Sequence, residues 1–201
     1  MKKELIRARG RPLSFDQDQV LDAAVQVFWE KGYEGASLGD LTQAMGINRP
    51  SLYAKFGNKH GLFLQAIDRY VATITSTQII PLMEMSDIRQ AVSGYLGEII
   101  RCVASREWPA GCLVVSVAVE TSERDEIVRS KISSMLAEAE VLIADRIAVA
   151  KRSDPSVDIQ NPQKLARMIV AVGQALASRA RAGASRDELC DLADDFLERL
   201  F

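Results

Sequence analysis

The sequence at positions 37–56 is SLGDLTQAMGINRPSLYAKF, and its spacing predicts two short helices joined by a tight turn. Ser37 is typical of a helix N-cap, and Gly46 is typical of the residue that follows a helix. Asn48 and Pro50 predict the start of a second helix, because Asn caps and Pro fits the first helical turn. This order of signals is the layout of a helix-turn-helix.

The apolar side chains of the two helices form an inner face and leave a polar outer face. Leu41, Met45 and Leu52 are expected to pack against Phe28 of the preceding helix. In a helix-turn-helix the second helix enters the major groove, where Arg can fork onto guanine and hydroxyls meet phosphate oxygens. The candidate DNA contacts are Arg11, Ser37, Thr42, Asn48, Arg49, Pro50, Ser51, Tyr53, Lys55 and Lys59. The same pattern is compatible with a three-helix bundle whose polar face is only solvated.

Outward from this stretch, Pro and Gly divide the chain into segments with helical periodicity. Upstream, Ser14 with Gln17 forms a capping box for a helix that ends at Gly32. Downstream, Asn58 caps a longer helix that is expected to end before Pro81.

The remaining segments also favour helices. Residues 87–105 have an apolar stripe of helical spacing. Residues 111–119 are strongly apolar and β-branched, and we interpret them as a buried helix because an isolated strand would have no partner. The other signals are a cap at Ser122 with Asp125, a linker at 154–161, a helix from Asn161 and Pro162 to Gly183, and a capping box of Ser185 with Glu188. The predicted fold class is therefore all-α.

Composition is that of a soluble globular protein. The chain has 201 residues, of which 48% are hydrophobic and 26% charged, and its formal net charge is -2. The first eleven residues hold five Lys or Arg and one acid, which is compatible with a polyanionic partner. No apolar run has the length of a membrane span, and no signal-peptide pattern is present, so no membrane partner is expected. Three cysteines favour a reducing compartment, which predicts the cytoplasm.

Patterns that carry catalysis are missing from the sequence. His60 is the single histidine and lies among the candidate DNA contacts. We find no His-Cys cluster with metal spacing, no Gly-rich phosphate loop and no nucleophile elbow. The expectation is therefore a protein without catalytic residues, cofactor or metal.

Residues 10–67 resemble the N-terminal domain of TetR/AcrR-type transcriptional regulators. The matching positions are Ala23, Ala24, Phe28, Gly32, Tyr33, Ser37, Leu38, Gly46, Ile47, Ser51, Leu52, Tyr53, Phe56, Lys59 and Leu62. The resemblance implies an all-α homodimer in which each recognition helix, residues 48–56, contacts one half of a palindromic operator in double-stranded DNA. The chain departs from the family pattern at Pro50, Ala54 and Lys55, which concerns the operator sequence and leaves the implied function intact.

The resemblance divides the chain into a basic arm at 1–13, a helix-turn-helix domain at 14–61 and an effector-binding and dimerisation domain at 62–201. It implies a repressor that is released from its operator by an unknown small-molecule or thiol-reactive effector. The candidate effector contacts are Tyr95, Ile99, Trp108, Cys112, Ser116, Glu120, Met135 and Met168. An alternative function is a DNA-binding adaptor whose C-terminal domain binds a protein partner.

Cys112 is a candidate sensor residue. Residues 109–113, PAGCL, resemble a Gly-Cys-Leu element of one group of the family, in which some relatives are thought to sense oxidants or electrophiles through a thiol. Arg101, Arg106 or a helix start could lower the pKa of this cysteine. The alternative is that Cys112 is a small buried hydrophobe.

The helix at 163–182 carries two apolar stripes, which need two partners and therefore favour dimerisation together with the last helix. The candidate dimer contacts are Leu165, Ile169, Val172, Gly173, Leu176, Leu192 and Phe196. The alternative is a helix that is buried within one chain.

Overall fold

The computed structural model describes residues 16–153 and 159–201, and these residues form an all-helical fold. The helices are α1 (Gln17–Gly35), α2 (Leu38–Ala44), α3 (Arg49–Phe56), α4 (Lys59–Tyr70), α5 (Ser76–Gln78), α6 (Ile80–Glu84), α7 (Ile88–Val103), α8 (Val119–Ser122), α9 (Glu126–Ser153), α10 (Pro162–Arg181) and α11 (Arg186–Leu200). Two π-helical turns, Val71–Thr75 and Val114–Ala118, precede α5 and α8. Neither described range contains a β-strand, so the expected fold class is confirmed.

Side-chain caps set the starts of the helices in the head, by which we mean α1 to α3 and the first turn of α4. The predicted caps Ser37, Asn48 and Asn58 are confirmed, since each accepts a hydrogen bond from a backbone amide three residues later. At α1 the cap is Asp16, which accepts from the Asp18 amide at 3.0 Å. The predicted cap Ser14 lies outside the described residues.

The helical stretch that Asn58 opens ends at Gln78, before Pro81, as the sequence predicts, and a separate short helix, α6, begins at Ile80. α4 passes through the π-helical turn Val71–Thr75 into α5, and Pro81 occupies the first turn of α6. Proline is tolerated there because an amide in the first turn has no partner within the helix. This helical path connects the head to the C-terminal half.

The apolar segment at 111–119 is helical from Leu113 onward and largely buried, as the sequence predicts. Leu113 and Val117 are almost completely buried within it. The next cap differs from the expected one, because the Ser122 hydroxyl donates back to the Val119 carbonyl at 2.6 Å. Asp125 caps α9 alone by accepting from the amides of the second and third residues that follow it.

The last two helices begin and end where the sequence predicts. The Asn161 side chain accepts from the Lys164 amide, and Gly183 adopts φ 96° just after α10. The capping box of Ser185 with Glu188 opens α11. Of the predicted linker at 154–161, residues 159–161 are described and are not helical.

Two apolar clusters hold the fold together. The first contains the inner side chains of the head, including the predicted Leu41, Met45, Leu52 and Phe28, and extends into residues 113–132. The second gathers the inward faces of α7, α9, α10 and α11. The first cluster joins both halves of the chain. A displacement in the C-terminal half therefore acts directly on the packed side chains of the head.

Candidate nucleic-acid interface and internal cavity

Hydrogen bonds between side chains and backbone fix the turn from α2 to α3. Ser37 Oγ accepts from the Asp40 amide at 3.0 Å, and the Asp40 carboxylate accepts from the Ser37 amide at 3.0 Å. Gly46 adopts φ 63°, a left-handed conformation that favours glycine. Asn48 Oδ1 then accepts from the Ser51 amide at 2.9 Å and starts α3. The start of α3 is therefore set by local contacts within the turn.

Asp40 also ties α2 to α1, a contact that the sequence patterns did not predict. Lys31 Nζ lies 2.5 Å from Asp40 Oδ1. Hydrogen bonds from Lys31 and then Ser37 lower the pKa of Asp40 to about 2, so this carboxylate is ionised at neutral pH. The two residues stand on different helices, and the spacing rules for pairs within one helix do not detect such a contact.

The second helix of this motif, α3, buries one face and exposes the other. Leu52 and Phe56 are buried in the head, whereas Arg49, Tyr53 and Lys55 are exposed. Tyr53 is 48% exposed, which is high for a large aromatic side chain. No hydrogen bond or ion pair engages these three exposed side chains within the described part of the chain. They are free to contact an external partner.

The other candidate DNA contacts have different environments. Ser37, Thr42 and Asn48 use their polar side-chain atoms inside the head; Thr42 Oγ1, for example, donates to the Leu38 carbonyl at 2.8 Å. These three therefore position the motif. The remaining candidates on this surface are Pro50, which is exposed, Ser51, which is partly exposed, and Arg11, which lies outside the described residues.

The first turn of α4 is held by contacts from two directions. Lys59 Nζ lies 4.7 Å from the centre of the Tyr33 ring and 3.5 Å from the Glu34 carbonyl oxygen of α1. His60 Nε2 lies 2.6 Å from a carboxylate oxygen of Asp125, the residue that caps α9. A hydrogen bond from the Val128 amide and the nearby His60 lower the pKa of Asp125. The single histidine therefore links the head to the C-terminal half.

Further contacts join α1 to the C-terminal half and to α4. Arg69 Nε lies 2.7 Å from a carboxylate oxygen of Asp22 on α1. The Trp29 ring of α1 stacks on Trp108 at a centroid distance of 6.1 Å and meets Tyr70 edge to face at 5.1 Å. Both tryptophans of the chain thus lie at the boundary between the two halves.

A cavity of about 100 Å³ lies between α5, α7, α9, α10 and the π-helical turn at 114–118. Four of the predicted effector contacts line it, Tyr95, Ile99, Cys112 and Met135. The sequence-based prediction did not include Thr75, Gln78 and Gln174, which also line it. Gln78 has apolar residues four positions away on both sides, Ile74 and Leu82, and this placement on an apolar face is the signal that could have found it.

The other four predicted effector contacts do not line this cavity. Trp108 is stacked on Trp29. Ser116 is directed toward Gly111, since a Cβ added to this glycine would lie 3.1 Å from the Ser116 hydroxyl oxygen. Glu120 is exposed at the end of the apolar segment, and Met168 is 48% exposed on the outer face of α10.

The Cys112 thiol lines the cavity and contacts Tyr70, whose hydroxyl oxygen lies 3.1 Å from Sγ. Burial raises the pKa of Cys112, although the Tyr70 hydrogen bond opposes this rise. Arg101, expected to lower that pKa, instead pairs with Glu98 at 2.8 Å and contacts Cys102. Because the thiolate is the reactive form, this environment disfavours reaction at neutral pH. In residues 16–153 and 159–201, no cluster of His, Cys, Asp or Glu is arranged to hold a metal ion.

The predicted dimer contacts divide into two groups. Leu165, Ile169, Gly173 and Leu176 are buried within their own chain, so their prediction as dimer contacts is corrected. A Cβ added at Gly173 would lie 2.8 Å from Ile99 Cδ1, which shows that this face of α10 packs tightly on α7. The predicted residues that stay partly exposed are Val172, Leu192 and Phe196. Beside Val172, the outer face of α10 also exposes Met168, Ala171 and Ala175.

Comparison with known families identifies this arrangement. The family model described as "Bacterial regulatory proteins, tetR family" matches residues 20–66, and the model described as "Tetracyclin repressor-like, C-terminal domain" matches residues 90–194. The chain belongs to the TetR family. It is therefore a TetR-family DNA-binding transcriptional regulator, and the expected combination of a helix-turn-helix head with a C-terminal helical domain is confirmed.

Individual TetR-family relatives match nearly the whole chain. It is 32% identical to the HTH-type transcriptional repressor ComR of Escherichia coli K12, across 93% of this chain and 90% of ComR. It is 33% identical to the HTH-type transcriptional repressor BdcR of the same organism, across 95% and 92%. A cysteine mutant of the TetR-family regulator CifR, solved with 26-bp double-strand operator DNA, is 34% identical with a TM-score of 0.87 across 96% and 100%. In the residues of this chain that the structure describes, no helix has the length and apolar character needed to cross a membrane.

Proposed function

We propose that the protein is a dimeric cytoplasmic repressor that binds a palindromic operator and leaves it when a small molecule occupies the internal cavity. The observation that carries this proposal is the exposed, unpaired set Arg49, Tyr53 and Lys55 on the second helix of a capped helix-turn-helix. Arg can form two hydrogen bonds to guanine in the major groove, while Tyr and Lys meet phosphate oxygens. The repressor names of ComR and BdcR and the operator complex of CifR support the same function.

The outer face of α10 supports the dimeric part of the proposal. Met168, Ala171, Val172 and Ala175 recur at helical spacing and are exposed or partly exposed, so one apolar stripe of α10 has no partner within its own chain. Small residues allow two helices to approach closely across a two-fold axis. Leu192 and Phe196 of α11 are partly exposed and would extend this contact into a four-helix interface.

The cavity is the proposed effector site because it touches the helical path that leads to the head. Thr75 and Gln78 of this path line the cavity, and Arg69, further up the same path, is bonded to Asp22 of α1. An effector that displaces the segment at 75–78 would shift α4 and change the spacing of the two recognition helices in the dimer. That spacing must fit one DNA turn, about 34 to 36 Å, or a multiple of it. The effector must prefer the arrangement that does not fit DNA.

Reversible binding is favoured over oxidation of Cys112 as the releasing event. Burial raises the pKa of the Cys112 thiol in spite of its hydrogen bond with Tyr70, so the reactive thiolate is scarce at neutral pH.

Fluorescence anisotropy with labelled DNA from upstream of the protein's own gene tests the DNA-binding part of the proposal. The Arg49→Ala variant is expected to bind at least about fivefold more weakly, because a side chain that contacts a base contributes about 1–3 kcal/mol. Arg89→Ala is the matched control, since Arg89 is exposed on α7 outside the head. Equal affinities of the two variants would contradict the assignment of α3 as the recognition helix.

A further inference from the structure

The cavity contains polar groups that have no partner within the chain. Gln78 is 9% exposed. Apart from tyrosines and cysteines, it is the one buried residue with a polar side chain in the described part of the chain. In the same part of the chain, the side chains of Thr75, Gln78, Tyr95 and Gln174 form no hydrogen bond, although all four line the cavity. A buried polar group that lacks a hydrogen bond is costly, so native proteins satisfy nearly all of them. Of the four residues around this space, Gln78 and Tyr95 are buried, and Thr75 and Gln174 are partly buried.

The cavity also lacks charge. None of its lining residues is Asp, Glu, Lys, Arg or His. An ionic ligand would lose its hydration on entry and gain no counter-ion, which is unfavourable in a buried site. A ligand of this cavity is therefore uncharged.

The polar groups include several hydrogen-bond donors beside the amide carbonyl oxygens. The Tyr95 hydroxyl is protonated at every physiological pH, because burial raises its pKa to about 12. The two Gln side chains add amide N–H groups, and Thr75 adds a hydroxyl. A ligand that offers an oxygen acceptor can satisfy several of these donors together, whereas a hydrocarbon would satisfy none.

The volume limits the ligand further. The space is about 100 Å³, while a cavity of roughly 150 Å³ lined by apolar residues holds benzene. The fit is therefore to a compact molecule of at most about six non-hydrogen atoms.

We propose that the cavity binds a small uncharged carbonyl compound whose oxygen accepts hydrogen bonds from Tyr95 and Gln78. The carbon skeleton packs on the apolar lining, which includes Ile99, Met135 and Val170. This inference rests on the proposed function, in which the cavity is the effector site, and it adds the chemical class of the effector.

Thermal unfolding of the full-length protein, followed by tryptophan fluorescence, tests the ligand class with three probes of similar size. The probes are cyclopentanone, benzene and cyclopentylammonium, each of about six non-hydrogen atoms. A ligand that binds only the folded protein raises Tm. Cyclopentanone at millimolar concentration is expected to raise Tm, benzene to raise it less, and cyclopentylammonium to leave it unchanged.

Two variants identify the hydrogen bonds. Tyr95→Phe removes only the hydroxyl, and Gln78→Leu replaces the amide by an apolar group of similar size. Without ligand, Gln78→Leu is expected to unfold at or above the wild-type Tm, because it removes an unpaired buried amide. Each variant is expected to bind cyclopentanone about tenfold more weakly and to bind benzene as the wild type does. Gln90→Leu is the control, since Gln90 is exposed on α7 and should leave both affinities unchanged.

Three results would overturn the inference. They are an equal Tm rise with benzene and cyclopentanone, an undiminished cyclopentanone effect in Tyr95→Phe and Gln78→Leu, and no Tm rise with cyclopentanone at all. Operator binding, measured on the same samples, separates this inference from the proposed function. A protein that binds its operator but ignores cyclopentanone refutes the ligand class alone, whereas loss of specific operator binding refutes the regulatory function itself.

Discussion

The hydroxyl of Tyr70 lies 3.1 Å from Sγ of Cys112, so that the last residue of α4 is bonded to a residue of the cavity wall. Tyr70 also packs edge to face on Trp29 of α1. The three side chains form a continuous path from the cavity to the head, and the path contains no charged group. Its consequences concern both the chemistry of the thiol and the transmission of a displacement to the head.

Cys112 is expected to react slowly with electrophiles. Because burial raises its pKa, iodoacetamide at neutral pH should alkylate it at least about tenfold more slowly than free N-acetylcysteine. Tyr70→Phe should slow the reaction further, because the Tyr70 hydrogen bond lowers the pKa of the thiol. Mass spectrometry of the peptide that contains Cys112 measures both rates. Alkylation as fast as that of the free thiol would show that Cys112 is an activated sensor.

The pair of His60 and Asp125 predicts a dependence of stability on acid pH. The folded protein lowers the pKa of Asp125, so this carboxylate stabilises the fold above its unfolded pKa of about 3.9 and loses the effect as the pH falls through the folded value. Asp125→Ala should cost about 1 kcal/mol at neutral pH, because Asp125 also caps α9.

Chemical denaturation at a series of pH values measures this contribution of Asp125. The difference in unfolding free energy between wild type and Asp125→Ala should shrink below about pH 4. Asp125→Asn is the matched variant, because Asn keeps the cap and loses only the charge that faces His60. A difference for Asp125→Ala that is the same at acid and neutral pH would contradict the role given to the carboxylate.

The outer face of α10 predicts the oligomeric state. Met168→Asp places a charge in the proposed dimer interface, so the protein should become monomeric at micromolar concentration, as measured by sedimentation velocity. Met83→Asp is the control, since Met83 is 69% exposed on α6, away from α10, and should leave the dimer intact. A dimer that survives Met168→Asp would move the interface to another surface.

Gly111 lies in the loop before the cavity wall, at a position that should not tolerate a side chain. Its φ of 89° favours glycine, and an added Cβ would lie 3.0 Å from Arg181 Cβ and 3.1 Å from the Ala177 carbonyl oxygen. Gly111→Ala should therefore lower the unfolding free energy by about 1–3 kcal/mol. Gly97→Ala is its counterpart inside α7, where nothing lies within 4 Å of the added Cβ. It should raise the unfolding free energy by about 0.5–1 kcal/mol, and equal effects of the two substitutions would refute this account of Gly111.

Local signals in the sequence predict the head well. The caps at Ser37, Asn48 and Asn58 act within three residues, so the spacing of the side chains alone is enough to locate them. Pro81 follows the same local rules, because α5 ends at Gln78 before it and α6 holds it in its first turn.

Contacts between distant segments explain which cavity residues could not be predicted. Tyr95, Ile99 and Met135 could be proposed because aromatic, aliphatic and Met side chains line most pockets. Met168 belongs to the same residue class, yet it is exposed, since which face of α10 is inward depends on α7 and α9. Gln78 was missed because glutamine is usually exposed, and its burial depends on the packing of α5 against the distant helix α7.

Selection of binding sites from a randomised DNA pool tests the central claim most directly, that a dimer places two recognition helices on one operator. The account predicts that the selected sequences contain an inverted repeat, with half-site centres one DNA turn or a multiple of it apart, and that Arg49→Ala selects no such site. Selected sequences that contain a single unrepeated half-site, or an unaltered preference in Arg49→Ala, would contradict it.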